Sequence, residues 1–272
     1  GTSHDRFPHT GIMRYKDGVA RIPAAALSNP DADLLSNMLR RGQPVVVELD
    51  IDAGMGPQYE SANVIAELRG RERPEEIVLI GAHLDSWDLG TGAIDDAAGI
   101  AITARAAALI AALPRRPRRS IRVVAFANEE QGLIGGNAYG TAHAEEIARH
   151  VIGAESDLGA GRIYAFATSP LPAPAQPVAQ QIAQALAPLG IEYRPGEGHV
   201  GPDLIPMMHR GMAWAWLGQD ASDYFDYHHT ANDTLDKIDP KALDQNVAAY
   251  AVFAWLAAEA EVDFGSSPGA AR

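Results

Sequence analysis

Apolar positions change their spacing several times along this chain, and the changes mark its elements. Residues up to about 41 are loop-rich, apart from a surface helix expected over 29–40, started near Ser28, Asn29 and Pro30. From Pro44 the pattern turns to strands, first at 45–49 and then at 62–68, where apolar and polar residues alternate. Residues 76–82 form a nearly continuous apolar run, as expected of a strand covered on both faces. A helix follows over 97–113, a further apolar strand over 121–127, and a second helix over 136–150. A short extended piece then leads to Glu155-Ser156-Asp157. Beyond a Pro/Ala-rich loop at 170–177, helical spacing returns over 178–189, a strand is expected at 213–217, and a long helix opens at Pro240 and runs to 260. Strands alternating with helices predict an α/β fold: a three-layer sandwich whose mixed, largely parallel central sheet is flanked by helices. Residues 263–272 read as a disordered tail.

Composition narrows the chemistry. The 272 residues suffice for one substantial core, and the net charge of −13 argues against a nucleic-acid partner. There is no cysteine, so disulfides and thiolate metal sites are both out, and any metal must be held by His, Asp and Glu. The most apolar run, residues 100–113, is short and contains Arg105, so no membrane span is expected. No signal peptide opens the chain, and Gly1-Thr2-Ser3 has the look of a cloning remnant.

In open α/β sheets, sites form beyond the carboxyl ends of the strands, and four segments here put acids or histidines there. They are His83-Leu84-Asp85-Ser86-Trp87-Asp88 with Asp95-Asp96, then Asn128-Glu129-Glu130-Gln131-Gly132, then Glu155-Ser156-Asp157, and late in the chain Tyr227-His228-His229-Thr230. Each has an ordinary explanation alone. Asp95-Asp96 before a helix suits N-capping, Glu129-Glu130 suits a solvated loop, and His228-His229 suits an exposed surface. Together they do not sit comfortably, because several carboxylates at one sheet edge repel unless cations neutralise them. Glu129 and Glu130 also cannot point the same way in a regular strand, so the chain must have bent into a loop there.

These motifs, with Gly92-Ala93-Ile94-Asp95-Asp96 and Asp233-Thr234, resemble the two-zinc aminopeptidase clan. The nearest branch is that of carboxypeptidase Q, also called plasma glutamate carboxypeptidase, with its bacterial relatives. The resemblance covers roughly residues 8–260, including Pro8-His9-Thr10-Gly11. It implies two zinc ions per chain, with manganese or cobalt as substitutes. His83 and Asp157 would bind one, Glu130 and His229 the other, and Asp95 would bridge them. Glu129 would be the general base, and Asp85 would hold the His83 ring in one tautomer. His228 would be structural or near the substrate, Asp96 a supporting residue or helix cap, and Asp233 a stabiliser of its local turn. His199 and Asp203 lie in a segment whose spacing departs from the family pattern.

The implied activity is that of a metal-dependent exopeptidase, an aminopeptidase or dipeptidase acting on short peptides. A catalytically inactive fragment or binding module on the same fold is one alternative; a single-zinc acyltransferase of the glutaminyl-cyclase kind is another. The resemblance also divides the chain: 1–42 as the remnant of an inserted protease-associated-type lid, and 43–262 as the catalytic domain. If core elements of the fold are missing from this front part, exposed apolar surface is expected to promote a homodimer. The branch favours a secreted or periplasmic location.

Overall fold

Residues 4–54 and 56–266 are described by a computed structural model. Its elements in chain order are α1 (Asn29–Arg40), β1 (Val64–Leu68), β2 (Arg73–His83), α2 (Ala98–Ala111), β3 (Arg119–Phe126), α3 (Ile134–Ala142) and β4 (His150–Glu155). After these come β5 (Ile163–Thr168), α4 (Gln176–Leu186), β6 (Glu192–Tyr193), the single turn α5 (Ile205–Met208), β7 (Ala215–Gln219), the single turn α6 (Tyr224–Tyr227) and α7 (Pro240–Glu259).

The strands form two runs, β1-β3-β2-β4 and β6-β5-β7. A parallel bridge between Gly153 and Trp214 joins them, backed by a 2.9 Å hydrogen bond from the Gly153 N–H to the Ala213 carbonyl. β2 is parallel to both β3 and β4, and β5 to β6; β1 on β3 and β7 on β5 are antiparallel. The sheet is thus mixed, with its parallel centre at β2.

The apolar run in β2 is buried on both sides because successive side chains point to opposite faces. Val78 and Ile80 join a cluster with Ile102 and Ala106 of α2 and Phe253 of α7. Leu79 faces the other way, against Phe126, Tyr139 of α3, and Met207. Helices therefore cover both faces, completing the three layers. α2 starts close to the sheet because Gly99 leaves room there: a Cβ would come within 2.1 Å of the Ser156 carbonyl oxygen. α7 is N-capped by Asp239, whose carboxylate accepts from the Lys241 N–H at 2.9 Å.

Several expectations are corrected here. Residues 45–49 form no strand: Val46 is 91% exposed, and among the described residues no strand pairs with this segment. The helix expected over 136–150 stops at Ala142, and His150 is already the first residue of β4. Gly135, Gly136 and Gly140 weaken that helix, while the apolar residues of 151–154 are taken by the sheet. β5 and β6 were not expected. The tail starts later than 263. Phe264 is 1% exposed in the main core, and the Ser266 hydroxyl lies 2.8 Å from the His150 carbonyl oxygen. The rest of the expected tail, 267–272, lies outside the described residues.

Residues 4–62 have α1 as their one regular element among the described residues and are mostly exposed from 41 to 62. No helix among the described residues is long and apolar enough to cross a membrane.

Candidate metal centre

The ends of β2, β3 and β4 deliver the first groups. β2 ends at His83, whose ring is 1% exposed. Its Nε2 lies 2.9 Å from Asp95 Oδ1 and 3.4 Å from Asp157 Oδ1. Asp157 follows β4 by two residues, and Asp95 sits in the wide turn Ala93–Ala97 that leads into α2. Asp95 and Asp96 both have non-helical backbone angles there, and the peptide bond between them is cis.

A second corner forms around the other oxygen of Asp95. His229 Nε2 lies 3.2 Å from Asp95 Oδ2 and 2.9 Å from Glu130 Oε2. His228 Nε2 is 3.5 Å from the same Asp95 oxygen, and its ring stacks on that of His229 with centroids 3.5 Å apart. Two sets of donor atoms are each gathered within 4.8 Å: His83, Asp95 and Asp157, and Asp95, His228 and His229. Asp95 belongs to both. Glu130 stands beside the second through its contact with His229.

The backbone that presents these groups is bent on purpose. Asn128 has φ 57°, the left-handed region that asparagine tolerates better than most residues, so Glu129 and Glu130 leave the line of β3 as expected. His229 has φ 59°, and a conformation of that kind persists where surrounding contacts enforce it. Those contacts come from the N-terminal segment. The Thr10 N–H and hydroxyl both donate to the His229 carbonyl, at 2.9 and 3.0 Å, and the Thr10 carbonyl lies 2.9 Å from His229 Nδ1. With Nδ1–H donated to that carbonyl, Nε2 is left as the free lone pair facing Asp95 and Glu130.

The supporting residues differ in part from the sequence reading. His83 Nδ1 meets the backbone carbonyl of Asp85 at 2.9 Å, whereas the Asp85 carboxylate is 3.7 Å away. That carboxylate instead accepts the Glu129 and Glu130 N–H groups, at 2.9 and 3.2 Å. Two backbone donors at fixed positions hold it better than one ring nitrogen already paired. Asp85 therefore orients His83 by its main chain and the glutamate turn by its side chain. Asp96 accepts from the His83 and Gly99 N–H groups, a capping and bracing role. Asp233 reaches well beyond its own turn: its carboxylate accepts the Ile94 and Asp95 N–H groups at 2.6 and 3.1 Å. Trp87, to which sequence reasoning gave no role, donates its indole N–H to Glu130 Oε2 at 2.7 Å. Asp203 is fully buried beside Glu155, whose carboxylate accepts the Asp203 and Leu204 N–H groups. His199 lines the rim of the pocket.

Opposite charges and burial compete at every group of the site. Burial pushes the His83 imidazole down, but its bonds to Asp157 and Asp95 outweigh this and hold it well above the usual range. Burial likewise opposes ionisation of Asp95, yet the bonds from His229 and His83 keep it well below the carboxylate range. His229 is pulled down by burial and then raised to about 10 by Asp95 and Glu130. His228 is lowered to about 4, by burial and by the charge of His229. Burial and then the charge of Asp157 push Glu129 up to about 7. Burial raises Asp157 as well.

These residues fit divalent cations. Glu130 Oε1 is buried without a hydrogen-bond partner, which costs free energy unless a cation meets it. The donors are nitrogen and carboxylate oxygen only, a set that zinc, manganese and cobalt accept.

Comparison with known proteins places the chain. Residues 63–254 match the model of peptidase family M28. Carboxypeptidase Q from Mus musculus is 36% identical over 256 residues, covering 93% of this chain and 53% of that protein; the Homo sapiens protein is 36% identical over 258 residues with the same coverage. The chain thus spans about half the length of these curated relatives. The crystal structure of a peptidase M28 precursor from Shewanella amazonensis superposes with a TM-score of 0.94 at 51% identity, covering 99% of this chain and 61% of that one. A zinc aminopeptidase from Bacillus subtilis shares the fold, with a TM-score of 0.55 at 21% identity over 70% of this chain and 49% of that one. From the sheet edge that carries His83 to its long closing helix, this chain belongs to peptidase family M28.

Proposed function

We propose that the chain is the catalytic part of a metal-dependent exopeptidase that hydrolyses short peptides with two divalent cations, zinc by preference. The observation that carries this reading is the division of Asp95, with Oδ1 2.9 Å from His83 and Oδ2 3.2 Å from His229. A carboxylate split in this way is suited to bridge two ions. In this reading His83, Asp95 and Asp157 hold one cation, and Asp95, Glu130 and His229 hold the other. When bound, such a pair polarises the scissile carbonyl and makes an attacking water more acidic.

Glu129 is the general base. It follows the bend at Asn128 and lines the same pocket as the ligands. It takes the proton of the water and delivers it to the departing amine. Asp85 fixes Glu129 through its backbone N–H, and Trp87 and Thr10 keep Glu130 and His229 aimed inward. His228 lines the substrate side of the pocket. The relatives support the exopeptidase class, since they are named as a carboxypeptidase and a zinc aminopeptidase.

The test is hydrolysis of a panel of dipeptides and aminoacyl anilides by the purified chain, with and without chelator. Chelator-sensitive release of a terminal residue is the expected result. Cleavage that ignores the chelator, or no cleavage by a chain carrying both metals, would sink the reading.

A further inference from the structure

The pocket beside the ligands encloses about 450 Å³, room for a small peptide. Four carboxylates line it, those of Asp95, Glu129, Glu130 and Asp157. Arg14 is the one lysine or arginine among the described residues that lines it with them. Its guanidinium is exposed and has no ion pair or hydrogen bond among the described residues. An arginine beside four acids that pairs with none of them is available to a ligand.

Its location says which part of a ligand. The N-terminal segment is pinned to the His229 loop at Thr10, and just beyond it Ile12 and Arg14 join the lining. There the guanidinium lies over Gly132: a Cβ on that residue would sit 3.4 Å from Arg14 Nη2. Gly132, at φ +124°, closes the turn that carries Glu129, with its N–H bonded to the Glu129 carbonyl at 2.9 Å. The cation therefore stands beside the turn that carries Glu129, the group that in the reading above hands its proton to the departing amine. In a dipeptide that amine nitrogen is two bonds from a free α-carboxylate. In a longer peptide the same position is a neutral amide.

We propose that Arg14 is a specificity-determining residue whose guanidinium pairs with the α-carboxylate of the departing amino acid and so selects dipeptides. The assignment rests on the peptidase reading above. It also answers an electrostatic difficulty: a second carboxylate entering this acidic pocket needs a fixed positive charge at its own end, and a planar fork of donors suits it.

The test compares one dipeptide with its C-terminal amide as substrates of the metal-loaded chain. The unaltered protein is expected to favour the free acid by roughly 10- to 100-fold in kcat/KM, the range of a charge-assisted hydrogen bond. Arg14→Met is expected to collapse that ratio to within about threefold of unity, mainly through KM for the acid, and Arg14→Lys to restore part of it. An acid-to-amide ratio unchanged in Arg14→Met overturns the proposal. So does an equal loss on both substrates, which would make Arg14 merely structural. If the unaltered chain cleaves neither substrate, the peptidase reading fails separately. Calorimetric binding of the same pair to metal-loaded Glu129→Gln, with and without Arg14→Met, then reads the selectivity: the acid must bind more tightly only when Arg14 is present.

Discussion

The two ends of this molecule hold their residues by opposite means. The sandwich places His83 and Asp157 through β2 and β4, strands paired on both sides or packed under helices, with apolar cores on each face. The N-terminal segment has little packing, and its residues are largely exposed, yet at Thr10 it takes hold of His229, a candidate ligand whose φ is 59°. Burial gives the first region its accuracy. In the second, three hydrogen bonds between Thr10 and His229 do so. The site therefore has a rigid half, His83 with Asp157, and a strapped half, His229 with Glu130, and Asp95 stands between them.

The largest effect expected lies in the chemistry shared by both halves. Glu129→Gln should lower kcat by roughly 10²–10⁴-fold while metal content stays at the unaltered level. Single-turnover kinetics beside metal analysis would check it, and a variant that keeps its activity would remove Glu129 from its role. Next comes the rigid half. Ile80→Ala opens a hole beneath β2 and should cost about 2–5 kcal/mol in chemical denaturation. By contrast Val46→Ser, at an exposed and unpaired position of the front segment, should change stability by less than about 0.5 kcal/mol.

The strapped half is tested by metal affinity rather than stability. Trp87→Phe keeps the ring and removes the donor to Glu130, so it should weaken one of the two metals by roughly 10–100-fold and spare the other. Competition titration with a chelator resolves the two affinities. Equal weakening of both would mean that the halves are not separable.

A smaller effect follows from pH. In the metal-free chain His229 is raised from its ordinary 6.5 to about 10. A group raised on folding stabilises fully below its unfolded value and loses that contribution as pH rises through its folded one. The stability due to His229 should therefore be complete below pH 6.5 and fade toward pH 10. A metal competes with that same proton, so its binding strengthens over the same window. Melting curves with and without chelator should move apart as pH rises; curves that converge would contradict the pairing of His229 with Asp95 and Glu130.

The candidates His83, Glu130 and Asp157 were readable in the chain because each stands at or just past the end of an apolar run, where an α/β sheet gathers its site, whereas Asp95 and His229 lie farther on and were named by the family resemblance. Periodicity was equally informative for β2, α2 and α7, whose buried faces are long. It misled at 45–49, where β-branched residues favour a strand but none of the described strands lies alongside. Other features depend on contacts far apart in sequence. Trp87 and Glu130 are 43 residues apart, and Thr10 and His229 are 219 apart. No local pattern announces either pair. The sequence reading gave the Asp85 carboxylate to the His83 ring, whereas its carbonyl takes that place, because a carbonyl and a carboxylate of one residue compete for the same ring nitrogen.

The central claim is that Asp95 holds two cations at once, and counting metals in the loaded chain tests it most directly. Zinc analysis of the unaltered protein and of Asp95→Ala, after removal of loose metal, should give two ions per chain in the first and a loss at both positions in the second. One ion per chain in the unaltered protein, or an Asp95→Ala variant that retains both, would contradict the account.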